Sequence, residues 1–218
     1  MLILLPPSER KEGGTHDIRV ALETLSFSDF LTSTRKLVIA NQNSDLLSLP
    51  TSPAIEIYSG VLYKSLNYAA LSLVAKQRAN DRLLIFSALF GVLRPMDQIP
   101  SYRAKIRNSE WKKPLSAALD GLGNQLIIDC RSSTYSTAWK STSDLTVNVR
   151  VFEQQSGRRR VVTHMSKKYR GELTRVLVEN EDLHSPEELL LLARRHFDAE
   201  LHSPAGAGPW LLDLIIST

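Results

Sequence analysis

Apolar residues in this chain fall into short runs cut by proline, glycine and polar stretches, and the length and spacing of each run predict its element. Leu2-Ile3-Leu4-Leu5 is apolar at every position and is stopped by Pro6-Pro7, which reads as a strand buried on both faces. Arg82 to Ala88 and Gln125 to Cys130 read the same way, as central strands. Ala54 to Tyr58 also reads as a strand, and Asn41 to Pro53, rich in Asn, Ser and Pro, as a loop. Leu145 to Glu153 and Arg158 to His164 flank Gln154-Gln155-Ser156-Gly157, the pattern of an antiparallel hairpin. Trp210 to Ile216 supplies a last strand.

Helical spacing is expected from Asp17 toward Leu25 and over Phe30 to Ala40. It is also expected through Leu66, Ala69, Ala70, Leu73 and Val74, over Trp111 to Leu119 up to Gly121 or Gly123, and from Ser166 toward Val178. Ser185-Pro186-Glu187-Glu188 is a capping box with proline at the first helical position, so a helix follows through Leu192. Strands and helices intermix without a repeat or a dividing linker. The expected fold is mixed α/β (α+β), one compact domain over residues 1–218, with mixed sheets flanked by helices and a basic cleft at the strand ends.

Composition adds limits. With 43% hydrophobic and 23% charged residues in 218, the chain has enough apolar matter for one large core. The apolar runs fall short of a membrane span, and the N-terminus lacks a signal peptide's basic region and cleavage site. One cysteine, Cys130, excludes an intrachain disulfide and a cysteine-based zinc site, and a cytoplasmic location is expected. The five histidines have no metal-ligand spacing, so no metal and no cofactor are expected.

Charge is segregated. Arg150 to Arg175 holds eight Lys or Arg against two Glu, a net of +6, whereas Glu179 to Glu200 holds seven acids against Arg194 and Arg195. The pattern fits an anionic partner or, equally, two solvated faces.

The polar groups that could do chemistry cluster in loops after the apolar strands, where ligands sit in sheets of this kind. Ser8 and Lys11 follow the first strand; Ser87, Arg94, Tyr102 and Arg103 follow the Leu83–Phe86 run; Asp129, Arg131, Ser132 and Tyr135 end the next. Arg94 and Arg103 bracket a proline-stiffened turn, suited either to bidentate phosphate contacts or to structural salt bridges. On the helix after Ser166, Tyr169, Leu173, Val176 and Leu177 share the apolar stripe, with Lys167, Arg170 and Gly171 opposite and Lys168 and Arg175 on the flank. Lysines in a first turn oppose the helix dipole, a conflict that a bound phosphate resolves. Gly171 in the same helix implies the close approach of a backbone or a ligand.

Asp129 and His164 could share a hydrogen bond at neighbouring strand ends, with Asp129 orienting a proton-exchanging imidazole; otherwise Asp129 pairs with Arg103 or Arg131. The spacing of Ser8 and Lys11 is too loose to define a serine–lysine nucleophile pair. Leu119-Asp120-Gly121-Leu122-Gly123 is similar to the glycine turn of a helix-hairpin-helix, although strand-like residues follow it.

The strand-end motifs carry a family resemblance. Met1-Leu2-Ile3-Leu4-Leu5-Pro6-Pro7-Ser8-Glu9-Arg10-Lys11, Tyr58-Ser59-Gly60-Val61-Leu62-Tyr63, Phe86-Ser87-Ala88-Leu89-Phe90-Gly91-Val92-Leu93-Arg94-Pro95 and Ile99-Pro100-Ser101-Tyr102-Arg103 resemble successive blocks of the YaaA family of peroxide-stress proteins. Trp111, Asp129-Cys130-Arg131-Ser132-Ser133-Thr134-Tyr135 and His164-Met165-Ser166-Lys167-Lys168-Tyr169-Arg170-Gly171 resemble further blocks in the same order. The resemblance implies a single domain with a positively charged cleft, duplex DNA binding and a role in limiting peroxide damage.

Taken with the residues, it yields two competing expectations. In the first, a monomer binds DNA weakly and with strong salt dependence through Lys11, Arg94, Arg103, Arg131, Lys167, Lys168, Arg170 and Arg175, supported by Tyr63, Ser87, Tyr102, Ser132 and Tyr135. In the second, an enzyme acts on a nucleotide or other phosphorylated small molecule in the same pocket, with Asp129, His164, Ser8 and Lys11 as catalytic candidates.

Overall fold

A parallel sheet buried on both faces demands near-continuous apolar strands, and β1 (Leu2–Leu5), β3 (Leu83–Ser87) and β6 (Ile127–Asp129) are buried at every residue. The computed structural model describes residues 1–42, 44–123, 125–155, 158–161 and 163–217. In it these strands join β7 (Thr146–Gln155) and β10 (Trp210–Ser217) as five parallel neighbours in the order β3-β1-β6-β7-β10. Antiparallel strands complete an eight-stranded sheet: β4 (Gly91–Leu93) beside β3, β8 (Arg158–Val161) beside β7, and β9 (Asp198–His202) beside β10. The long β7 holds β6 on its first residues and β8 on its last. The hairpin predicted there is present, although its turn residues Ser156 and Gly157 lie outside the described residues. A second sheet pairs β2 (Thr51–Pro53) with β5 (Gln98–Pro100).

Eight helices among the described residues surround the sheets: α1 (Ser28–Ala40), α2 (Ala54–Ile57), α3 (Val61–Leu66), α4 (Leu73–Arg82), α5 (Asn108–Leu119), α6 (Ser133–Ser136), α7 (Thr163–Glu179) and α8 (Pro186–Ala193). One continuous apolar cluster, reaching from Met1 to Leu214, unites these layers. The expected mixed α/β single domain is therefore the fold observed. The capping box opens α8 as its sequence requires: the Ser185 hydroxyl accepts from the Glu188 N–H at 3.2 Å, and the Glu188 carboxylate accepts from the His184 N–H at 2.7 Å. On α7, Leu173 and Leu177 are fully buried.

Several expectations are corrected. Ala54 to Tyr58 is a helical turn rather than a strand; a segment of four residues has no decisive period, and carbonyls of Asp97 and Pro95 take its first N–H groups. The helix read through Leu66 to Val74 is two helices, because Asn67 turns into the left-handed region at φ 47° and the Ser72 side chain caps α4. Leu73, 84% exposed, opens α4 at the surface and belongs to no apolar stripe. Between Asp17 and Leu25 only Leu22–Thr24 makes a short tight turn. The loop read over residues 41–53 contains a 3-10 turn, Ser44–Ser48, and the edge strand β2. Helix α7 begins at Thr163, so His164 stands in its first turn and not at a strand end. After Gly121 a short turn leads to β6, so the second helix of a helix-hairpin-helix is not found at this place.

The basic segment reaches the acidic one through Arg159, and reaches Asp213, outside the acidic segment, through Arg150. Arg159 donates to Glu200 at 2.7 and 2.6 Å, and Arg150 donates to Asp213 at 2.6 and 2.7 Å. Part of the +6 segment is thus neutralised within the chain. No helix among the described residues is long and apolar enough to cross a membrane. Cys130 is buried, and desolvation pushes its thiol up to about 12.

Candidate functional site

The chain leaves β1 toward β3 on one side and leaves β6 toward β7 on the other, so the carboxyl ends of β1 and β6 open a crevice at a topological switch point. Residues Ser8 to Lys11 follow β1 directly and occupy that end of the sheet. An isolated antiparallel bridge from Lys11 to Tyr58 and a hydrogen bond from the Ser59 N–H to the Arg10 carbonyl fix this segment against the α2–α3 corner. Gly60 lets the two segments close together: a Cβ on it would press on the Ser8 side chain, whose own Cβ would lie 3.2 Å away.

Four tyrosines build the wall behind the segment. The Tyr58 and Tyr102 hydroxyls are 2.8 Å apart, Tyr102 is 2.7 Å from the Ser87 hydroxyl, and Tyr63 donates to the Pro6 carbonyl at 2.7 Å. Ser87 in turn accepts from the N–H groups of Leu89 and Phe90, which ties the end of β3 to the same network. Burial raises the hydroxyl pKa of Tyr58, Tyr63 and Tyr102 well above the ordinary value. Tyr135 is pushed up to about 12 by burial and then by the Glu9 carboxylate, so it borders the same region. These phenols are donors and acceptors, not phenolates.

Lys11 rests on this wall. Its Nζ donates to the Ser8 carbonyl at 2.7 Å and lies 4.4 Å from the centre of the Tyr102 ring and 5.6 Å from that of Tyr58. Burial lowers its pKa to about 8; Glu9 opposes that fall and Arg103 adds to it. Among the described residues no carboxylate is within ion-pair distance of Nζ. Lys11 lines a cavity of about 450 Å³ whose walls also include Glu9, Arg10, Gln42, Leu46, Tyr102 and Arg103. The Ser8 hydroxyl donates to the Arg10 carbonyl rather than to Lys11, so the two side chains make no serine–lysine pair.

The remaining expected residues are placed differently. Asp129 is consumed by Arg131: Oδ1 accepts from the Arg131 N–H and Nε at 2.9 Å each, and Oδ2 accepts from Nη2 at 2.7 Å. The guanidinium also donates to the carbonyls of Trp139 and Tyr135 and lies 4.1 Å from the centre of the Phe86 ring. Both residues are buried, so this pair organises the end of β6 from behind, and Ser132 opens α6 beside it. The His164 side chain lies outside the described residues, and with it the Asp129–His164 dyad.

Arg94 reaches back to the carbonyls of Asn80 and Asp81 and lines a separate cavity of about 390 Å³ with Leu2, Arg82 and Asp182, at the amino ends of the strands. The structure therefore separates Arg94 from Arg103, because β4 runs antiparallel to β3 and carries Arg94 away from the crevice. Arg170 donates to the carbonyls of Arg131 and Val149, and Arg175 to those of Leu66 and Asn67 while pairing with Glu179. Lys168 pairs with Glu172 at 3.7 Å, and Lys167 is exposed beside it. Gly171 packs on α3, where an added Cβ would lie 2.8 Å from the Cβ of Ser65 and collide with the Leu62 carbonyl. The close approach that glycine implied is thus made by a backbone.

Glu9, which follows the first strand with Ser8 and Lys11, lies at the site as expected, whereas Tyr58 joins it without having been singled out as a site residue; the Lys11–Tyr58 bridge that brings Tyr58 in spans 47 residues of chain and has no local signal. Glu200, His202 and Asp213 also converge, on the β9–β10 edge, although no sequence spacing announces them. Their carboxylates are bound by Arg159 and Arg150, which makes the trio part of a charge network.

Five parallel strands with antiparallel borders, flanked by helices and carrying a lysine–tyrosine cavity beyond the ends of β1 and β3, define a mixed α/β protein. The family described as Peroxide stress protein YaaA matches residues 17–200, and the chain belongs to that family. It is similar to a UPF0246 protein of Streptomyces coelicolor, 32% identical over 99% of this chain and 98% of the relative. UPF0246 proteins of Corynebacterium glutamicum (35% identical, 89% of this chain and 92% of the relative) and Corynebacterium efficiens (37%, 81% and 84%) are similar over most of their lengths. Family membership points to a role in the oxidative stress response.

Proposed function

We propose that the protein serves the oxidative stress response by binding a phosphorylated small molecule in the cavity at the carboxyl ends of β1 and β3. The observation that carries this reading is the placement of Lys11 and Arg103 on the wall of one cavity of about 450 Å³, a size that suits a small ligand and not a duplex. Four of the cations expected to contact DNA, Arg94, Arg131, Arg170 and Arg175, spend their donors on the chain's own carbonyls and acids, so a broad phosphate-tracking surface loses half of its expected members. In the cavity, Arg103 would hold the phosphate oxygens and Lys11 the adjacent polar atom, with Tyr102 as an apolar floor. Thermal denaturation with pairs of phosphorylated metabolites and their dephosphorylated counterparts tests this. Phosphorylated members should raise the Tm of the native protein and fail to do so for Arg103→Ala. Shifts that survive Arg103→Ala, or no shift across nucleotides and sugar phosphates, would reject the reading.

A second reading, DNA binding, is favoured by one further observation. Arg103, Lys105, Arg107, Lys112 and Lys113 are all exposed along the segment leaving the cavity into α5, and among the described residues only Arg107 of these has an acidic partner, Glu110. Five phosphate contacts would give a slope of log affinity against log salt of about −4 to −5. A flat salt dependence, or no binding at low salt, would exclude it.

A further inference from the structure

We infer that Lys11 is a reactive amine that forms an imine with a phosphorylated aldehyde held in the β1–β3 cavity, an inference that rests on the anionic-ligand reading above. An amine works as a nucleophile when it is unprotonated, oriented and open to its substrate. Orientation is provided here: one direction at Nζ is taken by the Ser8 carbonyl at 2.7 Å and another by the Tyr102 ring face at 4.4 Å, and the cavity lies on the side that remains. No carboxylate sits within ion-pair distance to hold a proton on the nitrogen among the described residues. Arg103 shares the cavity and disfavours a second positive charge in it, while its guanidinium suits a phosphate on the same ligand. A site that served only to attract anions would gain from a fully charged, solvated lysine; this one is set partly into an aromatic wall.

The chemistry balances without a further reactant. The Nζ lone pair attacks the aldehyde carbon to form a C–N bond, the carbonyl oxygen takes up a proton, and the resulting carbinolamine loses that oxygen as water to leave the C=N bond. Protons exchange with solvent through the mouth of the cavity.

The probe is pyridoxal 5′-phosphate, with sodium borohydride to reduce any imine to a stable secondary amine and peptide mass spectrometry to locate it on the full chain. A lowered lysine pKa gives a free-amine fraction at pH 7.5 about a hundredfold above that of an ordinary lysine. Lys11 should therefore be modified at least about tenfold faster than the exposed Lys112 and Lys113. Pyrophosphate should suppress the Lys11 adduct alone, and Lys11→Arg should abolish it while leaving the other sites labelled as before. If pyrophosphate raises the Tm through Arg103 yet Lys11 is modified no faster than Lys112, the imine inference is wrong and the anion pocket stands. If pyridoxal without its phosphate labels Lys11 equally well and pyrophosphate gives no protection, the phosphorylated-ligand reading fails and the inference falls with it.

Discussion

Replacing Lys11 by methionine should make this protein more stable, and the gain should shrink as the pH rises. In the folded chain burial holds the amine at a pKa of about 8, against 10.5 for an ordinary lysine. Unscreened, that gap is worth about 3 kcal/mol. The amine faces an open, solvent-filled cavity, and screening reduces the figure to about 1–2 kcal/mol. The sign follows from proton uptake: between pH 8 and 10.5 the unfolded chain binds more protons at this site than the folded one. The penalty is therefore complete below about pH 8, declines through that window and is absent above the unfolded value. Methionine keeps the length and the apolar contact with Tyr102 and removes the penalty, so Tm at pH 7 should rise by roughly 2–8 °C. Urea unfolding of both proteins at pH 7 and pH 9.5 measures the difference, with every other titrating group cancelling between them. At pH 9.5 the advantage should fall to less than half. A variant that is less stable at pH 7, or a difference that is the same at both values, would refute the claim that the fold holds Lys11 against its own protonation. Stability gained by deleting a residue is the mark expected of a functional group.

Other substitutions probe the frame around the site. Asp129→Asn removes the counter-charge of the buried Arg131 and should cost about 3 kcal/mol or more in denaturant unfolding; a loss under about 1 kcal/mol would show that the pair is dispensable. Gly171→Ala forces α3 and α7 apart and should destabilise by about 2 kcal/mol or more, where an open helix surface would show a gain. Arg170→Ala loses two charge-assisted bonds to carbonyls and should cost about 1–3 kcal/mol, whereas Lys167→Ala should stay within about 0.5 kcal/mol. Leu73→Lys, at an 84% exposed position, should be neutral within about 0.5 kcal/mol, and a large loss would restore Leu73 to an apolar stripe.

What sequence could disclose followed the range of the interactions. β1, β3 and β6 were legible because strands buried on both faces must be apolar throughout, and α8 because its cap is written in four consecutive residues. Ala54–Ile57 was misread because a single turn has no period to measure. The strand β9, Asp198–His202, was missed because three of its five residues, Asp198, Glu200 and His202, are polar, and only the fold shows Glu200 paired with Arg159 of β8. Within the site, Ser8, Lys11, Ser87, Tyr102 and Arg103 could be gathered from the rule that ligands sit beyond strand ends. Which cations remain free could not be read. Arg131 and Arg170 look alike in sequence to Arg103, and only the fold reveals that their donors end on the carbonyls of Trp139, Val149 and Arg131 itself. Arg35 carries the same lesson: it is fully buried in α1, donating to the carbonyls of Phe90, Val92 and Ser26, with nothing in its neighbours to announce it.

The central claim is that the β1–β3 cavity binds phosphate-bearing small molecules, and amide chemical-shift mapping with pyrophosphate, set beside a short DNA duplex, tests it most directly. Pyrophosphate should displace the resonances of Ser8 to Lys11 and Ser101 to Arg103 in a saturable manner, and the duplex should leave those of Ser8 to Lys11 in place. Pyrophosphate shifts that never saturate, or that centre on Lys167 and Lys168 or on α5 instead, would contradict it.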